Sequence, residues 1–227
     1  MIKIIVTGAA GRMGQRIIAL AKADKNLEVV GAVDISDSLE KVISLGDVVI
    51  DFSHPDATIP NLKTAQKFKK AVVIGTTGHT VDQKKEIEQL ARGLPVVMAP
   101  NMSIGVNVLW KIMGEAAAVL GKSFQISVSE THHIHKKDRP SGTALQMVKV
   151  LSETLGMRPE DIPVESIREG EVVGDHTAIF EGEGETLTLT HHASSRDTFA
   201  LGALRAACWI VGKPNGFYTM ADVLGLK

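Results

Sequence analysis

Two patterns of apolar residues alternate along the first half of this chain: short continuous runs, and stretches where they recur every three or four positions. The runs suit strands buried on both faces, and the spaced pattern suits helices with one face against a core. Five runs stand out: Ile2 to Val6, Leu27 to Val33, Val48 to Phe52, Ala71 to Gly75 and Pro95 to Ala99. Between them the spacing predicts a helix that sets Met13, Ile17, Leu20 and Ala21 on one face, and a second from about Pro60 to Lys69. A third, reaching Ala91, opens at Thr80, with Gln83 three residues on in the form of a capping box. Pro60 suits a first helical turn. Strands separated by helices imply a parallel sheet with right-handed crossovers.

Beyond residue 103 the pattern changes. Val106, Leu109, Trp110, Met113 and Ala117 form the apolar stripe of a helix from Val106 to Leu120, with Trp110 expected in the core. A strand from Phe124 to Val128 follows, then a helix from Gly142 to Leu155. From Val164 to Thr190 the chain reads as strand, with Ile179, Phe180, Leu187 and Leu189 set among polar residues. A last helix is expected from Thr198 to Val211. The fold class is therefore α/β: a Rossmann-like parallel-sheet domain over residues 1–103, with 198–227 returning to pack on it. Residues 104–197 are expected to form an α+β substrate domain with an open mixed sheet.

The chain has 227 residues and a formal net charge of -1, so nothing in its charge attracts nucleic acid or an anionic membrane. The lone Cys208 excludes an internal disulfide and a multi-cysteine metal site, and its apolar surroundings suggest a buried small hydrophobe. The N-terminus lacks the form of a signal peptide, and no apolar run approaches the roughly 20 residues of a membrane span. A cytoplasmic protein is expected.

Gly8, Ala9, Ala10, Gly11, Arg12, Met13 and Gly14 link the first strand to the first helix, and Asp34 ends the second strand. Strand, glycine turn, helix, strand and acidic residue in this order make a dinucleotide-binding unit, although the spacing is G-x-x-G-x-x-G. Glycines let backbone approach a pyrophosphate, the helix N-terminus faces its charge, and Asp34 accepts from the adenine ribose. An acidic residue there repels a 2′-phosphate, and Ile35 and Ser36 supply no cation, so NADH is expected to bind at least as well as NADPH. Phe52-Ser53, Gly75, Thr76 and Thr77, and Ala99, Pro100, Asn101 and Met102 fall at the other strand ends, where ligands of such sheets sit.

The stretch from Glu130 to Leu145 concentrates the chemistry: His132, His133, His135, Lys136, Lys137 and Asp138, then Ser141-Gly142-Thr143 opening a helix. Zinc on His133 and His135 would lack further ligands and would meet two lysines, so no metal is expected. A structural role is the plainer alternative. Proton transfer and anion binding suit imidazole beside ammonium, and the helix start offers backbone N–H groups and hydroxyls to a carboxylate. With the cofactor unit, this gives an oxidoreductase acting on a carboxylate-bearing molecule.

H-H-I-H-K-K-D-R-P-S-G-T-A, G-A-A-G-R-M-G, I-D-F-S, G-T-T-G, A-P-N-M-S-I-G-V-N and A-S-S-R-D-T-F-A closely resemble the dihydrodipicolinate reductases, in register over essentially the whole chain. The resemblance implies NAD(P)H-dependent reduction of a cyclic dicarboxylate in lysine and diaminopimelate biosynthesis. It implies His132 as proton donor and acceptor, Lys136 as proton donor, and His133, Gly142 and Thr143 as substrate-binding residues. It assigns the dinucleotide to Gly8 to Met13, Asp34, Gly75 to Thr77 and Ala99 to Met102, and implies a homotetramer joined through the substrate domains. Closure between the domains should accompany turnover. Between Asp34 and Asp47 the chain is shorter than many relatives, and Arg139 and Pro100 stand where small residues are common. Two other readings are another dehydrogenase of a small carboxylate and a non-catalytic NADH sensor. An acylating dehydrogenase needs a nucleophilic cysteine, and a sensor needs no proton-donor cluster.

Overall fold

The computed structural model describes residues 1–226 and divides into two compact units, Met1–Ser103 with the segment from Asp197, and Ile104–Arg196. The first unit is built on a six-stranded parallel sheet: β1 (Ile2–Thr7), β2 (Leu27–Val33), β3 (Val48–Asp51), β4 (Ala71–Ile74), β5 (Pro95–Met98) and β10 (Gly216–Tyr218), in the order β10-β5-β4-β3-β1-β2. The C-terminal tail thus adds a strand that the apolar pattern had not revealed, being only three residues long. Both faces of the sheet are covered. On one side Val6, Ile50 and Val73 pack with α1 (Arg12–Ala23), α6 (Asp197–Ile210) and α7 (Met220–Leu224); on the other, Val49, Val72 and Val96 pack with Leu62 and Ile87.

Those last two residues belong to α2 (Pro55–Lys67) and α3 (Val81–Leu90). The second helix begins five residues before the expected Pro60. Pro55 occupies its first turn, His54 accepts from the Asp56 N–H at 3.3 Å, and Pro60 lies inside. The chain offered two prolines, and the one with a capping side chain before it opens the helix. It also stops before Lys69, whose left-handed φ of 54° turns the chain away. For α3 the capping box forms as expected, Thr80 and Gln83 each bonding the other's backbone. β2 reaches β3 through two short 3-10 turns with no helix between, and β2 is an edge of the sheet.

The second unit has a mixed four-stranded sheet in the order β7-β6-β8-β9, from β6 (Gln125–His132), β7 (Val164–Arg168), β8 (Gly174–Gly182) and β9 (Glu185–Ala193). β7 runs parallel to β6, and the other pairs are antiparallel. One face packs Ile126, Val128, Ala178 and Phe180 against α4 (Ile104–Leu120) and α5 (Gly142–Leu155), with Trp110 buried as expected. Two expectations need correction here. β6 continues four residues past Val128, which carries the strand into the histidine stretch. Ile104–Ser123 is long and apolar enough by length and composition to cross a membrane, contrary to the estimate from the sequence, although its buried stripe centres on Trp110 and Met113 in this core.

Cys208 is a third correction. It lies on the exposed side of α6, because that helix turns Ala203, Ala206, Ala207 and Ile210 inward. Partial burial, with Asp24 nearby, raises the thiol's pKa and leaves it unactivated.

Candidate active site

In the first unit, parallel strands bring every carboxyl end to one edge of the sheet. The strand order changes direction between β1 and β3, β2 being added on one side of β1 and β3 on the other, and this is the switch point at which ligands of such sheets bind. Gly8 follows β1 with φ of 73°, and a Cβ there would fall 2.3 Å from the Phe52 carbonyl oxygen. A Cβ on Gly14 would fall 2.2 Å from the Gly8 carbonyl oxygen, and one on Gly75 would fall 2.1 Å from the Phe52 ring. These glycines are therefore demanded by packing around Phe52 and the turn itself, as well as by any ligand.

The turn is braced from β2. Ala9 N–H donates to Val33 at 3.2 Å, and Ala10 N–H donates to the Asp34 carboxylate at 2.7 Å. Asp34 also accepts from Ile35 N–H at 2.9 Å, and these two bonds, Ala10's foremost, hold its pKa below the usual carboxylate value. Gln15 N–H makes the first helical bond, to Gly11, so the amides before it at the start of α1 have no helical acceptor. A glycine turn, a helix start and an ionised carboxylate fit a dinucleotide's pyrophosphate and ribose. Below the turn, Asp51 is fully buried and accepts from Thr7 Oγ1 at 2.7 Å, Thr58 Oγ1 at 2.8 Å and Ser53 Oγ at 2.5 Å. Its carbonyl accepts from Gly75 and Thr76 N–H, so one residue ties together the ends of β1, β3 and β4. Ala99 and Met102 are buried in the core, Asn101 caps Ser103 N–H at 2.8 Å, and Pro100 is exposed. Met102 can thus offer a ligand only its backbone.

In the second unit, strand alternation puts Glu130 and His132 on the inward face of β6. Glu130 pairs across the sheet with Ser166 on β7 and His176 on β8, and His176 with His191 on β9. Glu130, His132 and His176 are all at least 93 % buried by exposures of 1, 7 and 3 %. His132 Nδ1 meets the Glu130 carboxylate, and its ring stands edge-on to His176 at 5.0 Å. His176 Nε2 lies 3.4 Å from Ser141 Oγ. Arg168 donates to Glu130 at 2.9 Å and to the carbonyls of Asp138 at 2.5 Å and Lys136 at 3.3 Å. Lys136 Nζ donates to both oxygens of Asp138, at 2.8 and 2.7 Å.

The electrostatics follow from burial and two cations. Burial works to raise the Glu130 pKa, but the bond from Arg168, with the charges of His132 and Arg168, holds it below its usual value. Burial lowers His132, and Lys136 and Arg168 add to this against the pull of Glu130. His176, lowered by burial and then by His132, falls to about 3. Near neutral pH this is an ionised carboxylate among neutral imidazoles. Glu130, His132 and His176 are close enough to share a metal ion, but Arg168 and Lys136 put two positive charges beside that position.

His133 and His135 lie beyond the end of β6, in a turn held by bonds such as His133 N–H to Val172 at 2.7 Å. They therefore do not share a strand face, as alternation had suggested. Ser141 caps α5 through Ala144 N–H at 3.2 Å, Leu145 N–H makes the first helical bond, and a Cβ on Gly142 would meet nothing within 4 Å. The helix start is thus open to a carboxylate at Gly142, with Thr143 buried behind it. Sequence reasoning missed Arg168, His176 and the bracing role of Asp51. Alternation could have placed His176 on the inward face with Phe180, but nothing local marks Arg168.

A dinucleotide-binding fold in the first unit, with a buried carboxylate–histidine pair and an anion-receiving helix start in the second, defines a nicotinamide-dependent oxidoreductase. Family models described as the N-terminus and the C-terminus of dihydrodipicolinate reductase match residues 2–102 and 105–224. The chain belongs to the dihydrodipicolinate reductase family. It is 44% identical over 263 positions to the 4-hydroxy-tetrahydrodipicolinate reductase of Aquifex aeolicus, covering 99% of each chain. With that of Syntrophotalea carbinolica it shares 40% over 267 positions and all of both chains. That alignment is longer than the 227 residues here, so this chain lacks segments its relative has. In fold it matches a dipicolinate-bound dihydrodipicolinate reductase from Paenisporosarcina sp. TG-14 with a TM-score of 0.83 and 24% identity, covering 98% of each chain. An amine dehydrogenase from Mycobacterium smegmatis matches at a TM-score of 0.61 and 12% identity, covering 96% and 95%.

Proposed function

We propose how this chain carries out its reaction, the reduction of 4-hydroxy-tetrahydrodipicolinate in lysine and diaminopimelate biosynthesis. The observation that carries the reading is the Glu130–His132 pair beside Lys136 and the open start of α5. The nicotinamide, when bound, supplies a hydride. The turn from Gly8 to Met13 receives its pyrophosphate and Asp34 its adenine ribose, while Gly75 to Thr77 and Ala99 to Met102 line the same strand ends. Asp34 with no cation at Ile35 or Ser36 favours NADH over NADPH.

Gly142 and Thr143 at the helix start, with His133, hold substrate carboxylate. Lys136 exchanges Asp138 for the substrate, stabilises the negative charge that develops, and with His132 delivers the proton. Fixed donors of this kind cost no reorganisation when charge appears. We further read the protein as a cytoplasmic homotetramer joined through its second unit. Support comes from the sheet face turned away from α4 and α5, where Ser127, Ser129, Thr177, Ile179, Thr188 and Thr190 are partly or fully exposed.

Consumption of NADH and NADPH with freshly generated substrate tests the assignment in the intact protein and in Lys136→Ala. We expect faster use of NADH, and a loss of about 100-fold or more in kcat for the variant with NADH affinity kept. Equal turnover by the variant would remove Lys136 from the chemistry, and lost NADH binding would mean that the site is misplaced.

A further inference from the structure

Three groups converge on the Glu130 side chain. Its Oε2 meets His132 Nδ1, and its Oε1 accepts from Arg168 at 2.9 Å and from Ser141 N–H at 3.3 Å. Ser166 is its neighbour across the β6–β7 pair. None of this is solvent-screened, since Glu130 is 1 % exposed and the Arg168 side chain 3 %. Arg168 in turn holds the carbonyls of Lys136 and Asp138, so the same carboxylate is joined to the loop that carries the lysine.

An imidazole has two nitrogens, and the partner of one decides which state the other presents. A carboxylate at Nδ1 accepts a hydrogen bond from Nδ1–H and leaves Nε2 as the nitrogen free to exchange protons. Space on the Nε2 side is kept by Gly174, where a Cβ would come within 3.1 Å of that nitrogen.

We propose that Glu130 is a positioning residue for the reduction: it fixes the Nδ1–H form of His132, so that Nε2 is the proton-transferring atom, and through Arg168 it aligns the Lys136 loop. The inference rests on His132 being the proton carrier, as read above. Glu130 need not touch substrate. The neutral ring first takes a proton from solvent at Nε2; in the transfer step that Nε2–H bond breaks as the substrate gains the proton, and the again neutral ring keeps Nδ1–H on the carboxylate. Without the carboxylate, a glutamine amide can still fill the space and accept from Arg168, but its NH2 would donate to Nδ1 and drive the proton to Nε2.

Glu130→Gln in the full-length protein is the test, with histidine tautomers read by long-range nitrogen–proton NMR and the His132 signals assigned by their absence from His132→Asn. The unsubstituted protein should show Nδ1–H at His132, and Glu130→Gln should move the proton to Nε2. kcat should fall by about 10- to 100-fold, with KM changed less than about threefold, NADH affinity kept, and the limb of the pH profile due to His132 shifted to lower pH. An Nε2–H tautomer in the unsubstituted protein overturns the inference, even if the variant does not fold. A fall in kcat with the tautomer unmoved overturns it too, while leaving His132 as proton carrier. A moved tautomer with kcat unchanged overturns both the inference and the role of His132.

Discussion

His176 makes the folded protein sensitive to acid, and the size of the effect can be worked from its surroundings. The ring is 3 % exposed, faces Glu130 and His191 across the strands and His132 edge-on, and has Ser141 Oγ at Nε2. Burial, with the charges of His132, His191 and Lys136 against the opposing pull of Glu130, lowers its pKa from 6.5 to about 3. The unfolded chain therefore takes up this proton near its usual pKa, while the folded chain refuses it until about 3. Between those values the unfolded state binds more protons, so stability falls as pH falls. One such proton is worth about 1.4 kcal/mol per pH unit, which gives a loss of about 2 kcal/mol on going from about pH 7 to about pH 5. His79, His132 and His191 are also lowered and add to the slope, but they remain in a variant that lacks only His176. Glutamine keeps a polar atom near Ser141 and does not titrate. Urea unfolding of both proteins between about pH 7 and about pH 4.5 should give His176→Gln a slope shallower by close to one proton. Equal slopes in the two proteins would refute the reasoning, whatever the difference in their stabilities.

Two further substitutions probe the sites directly. Gly174→Ala places a methyl 3.1 Å from His132 Nε2 and 3.5 Å from His176 Cε1, so the ring of His132 must shift by a few tenths of an ångström. A stability cost of about 1–3 kcal/mol and a fall in kcat of about tenfold should follow, with NADH binding unchanged; kcat within about twofold would show that the ring has room to spare. Asp34→Ala removes the acceptor for Ala10 and Ile35 N–H together with the one proposed for the ribose. NADH affinity by fluorescence titration should fall by about tenfold or more, with NADPH affected less, and an unchanged Kd would show that Asp34 only braces an already stable turn.

The apolar runs and glycine turn determined the parallel sheet, because a strand buried on both faces needs a continuous apolar sequence and a tight strand-to-helix turn needs glycine. The limits of β2 and α5 could be read to the residue, since Asp34 and Ser141 mark those ends with local chemistry. The histidine stretch, the lysine and the helix start after it were equally visible, as residue types too polar to be needed for packing. Three decisions belonged to tertiary structure. The entry of β6 into the histidine stretch came from pairing with β7 and β8, which supply partners for its backbone as far as His132. The C-terminal strand exists because β5 offers an open edge to three residues that carry no strand pattern of their own. Arg168 and His176 reach Glu130 from 38 and 46 positions away in the sequence, His176 through the antiparallel β6–β8 register. A carboxylate can stay ionised in that buried place only because the fold brings the guanidinium to it, and no local pattern carries that information.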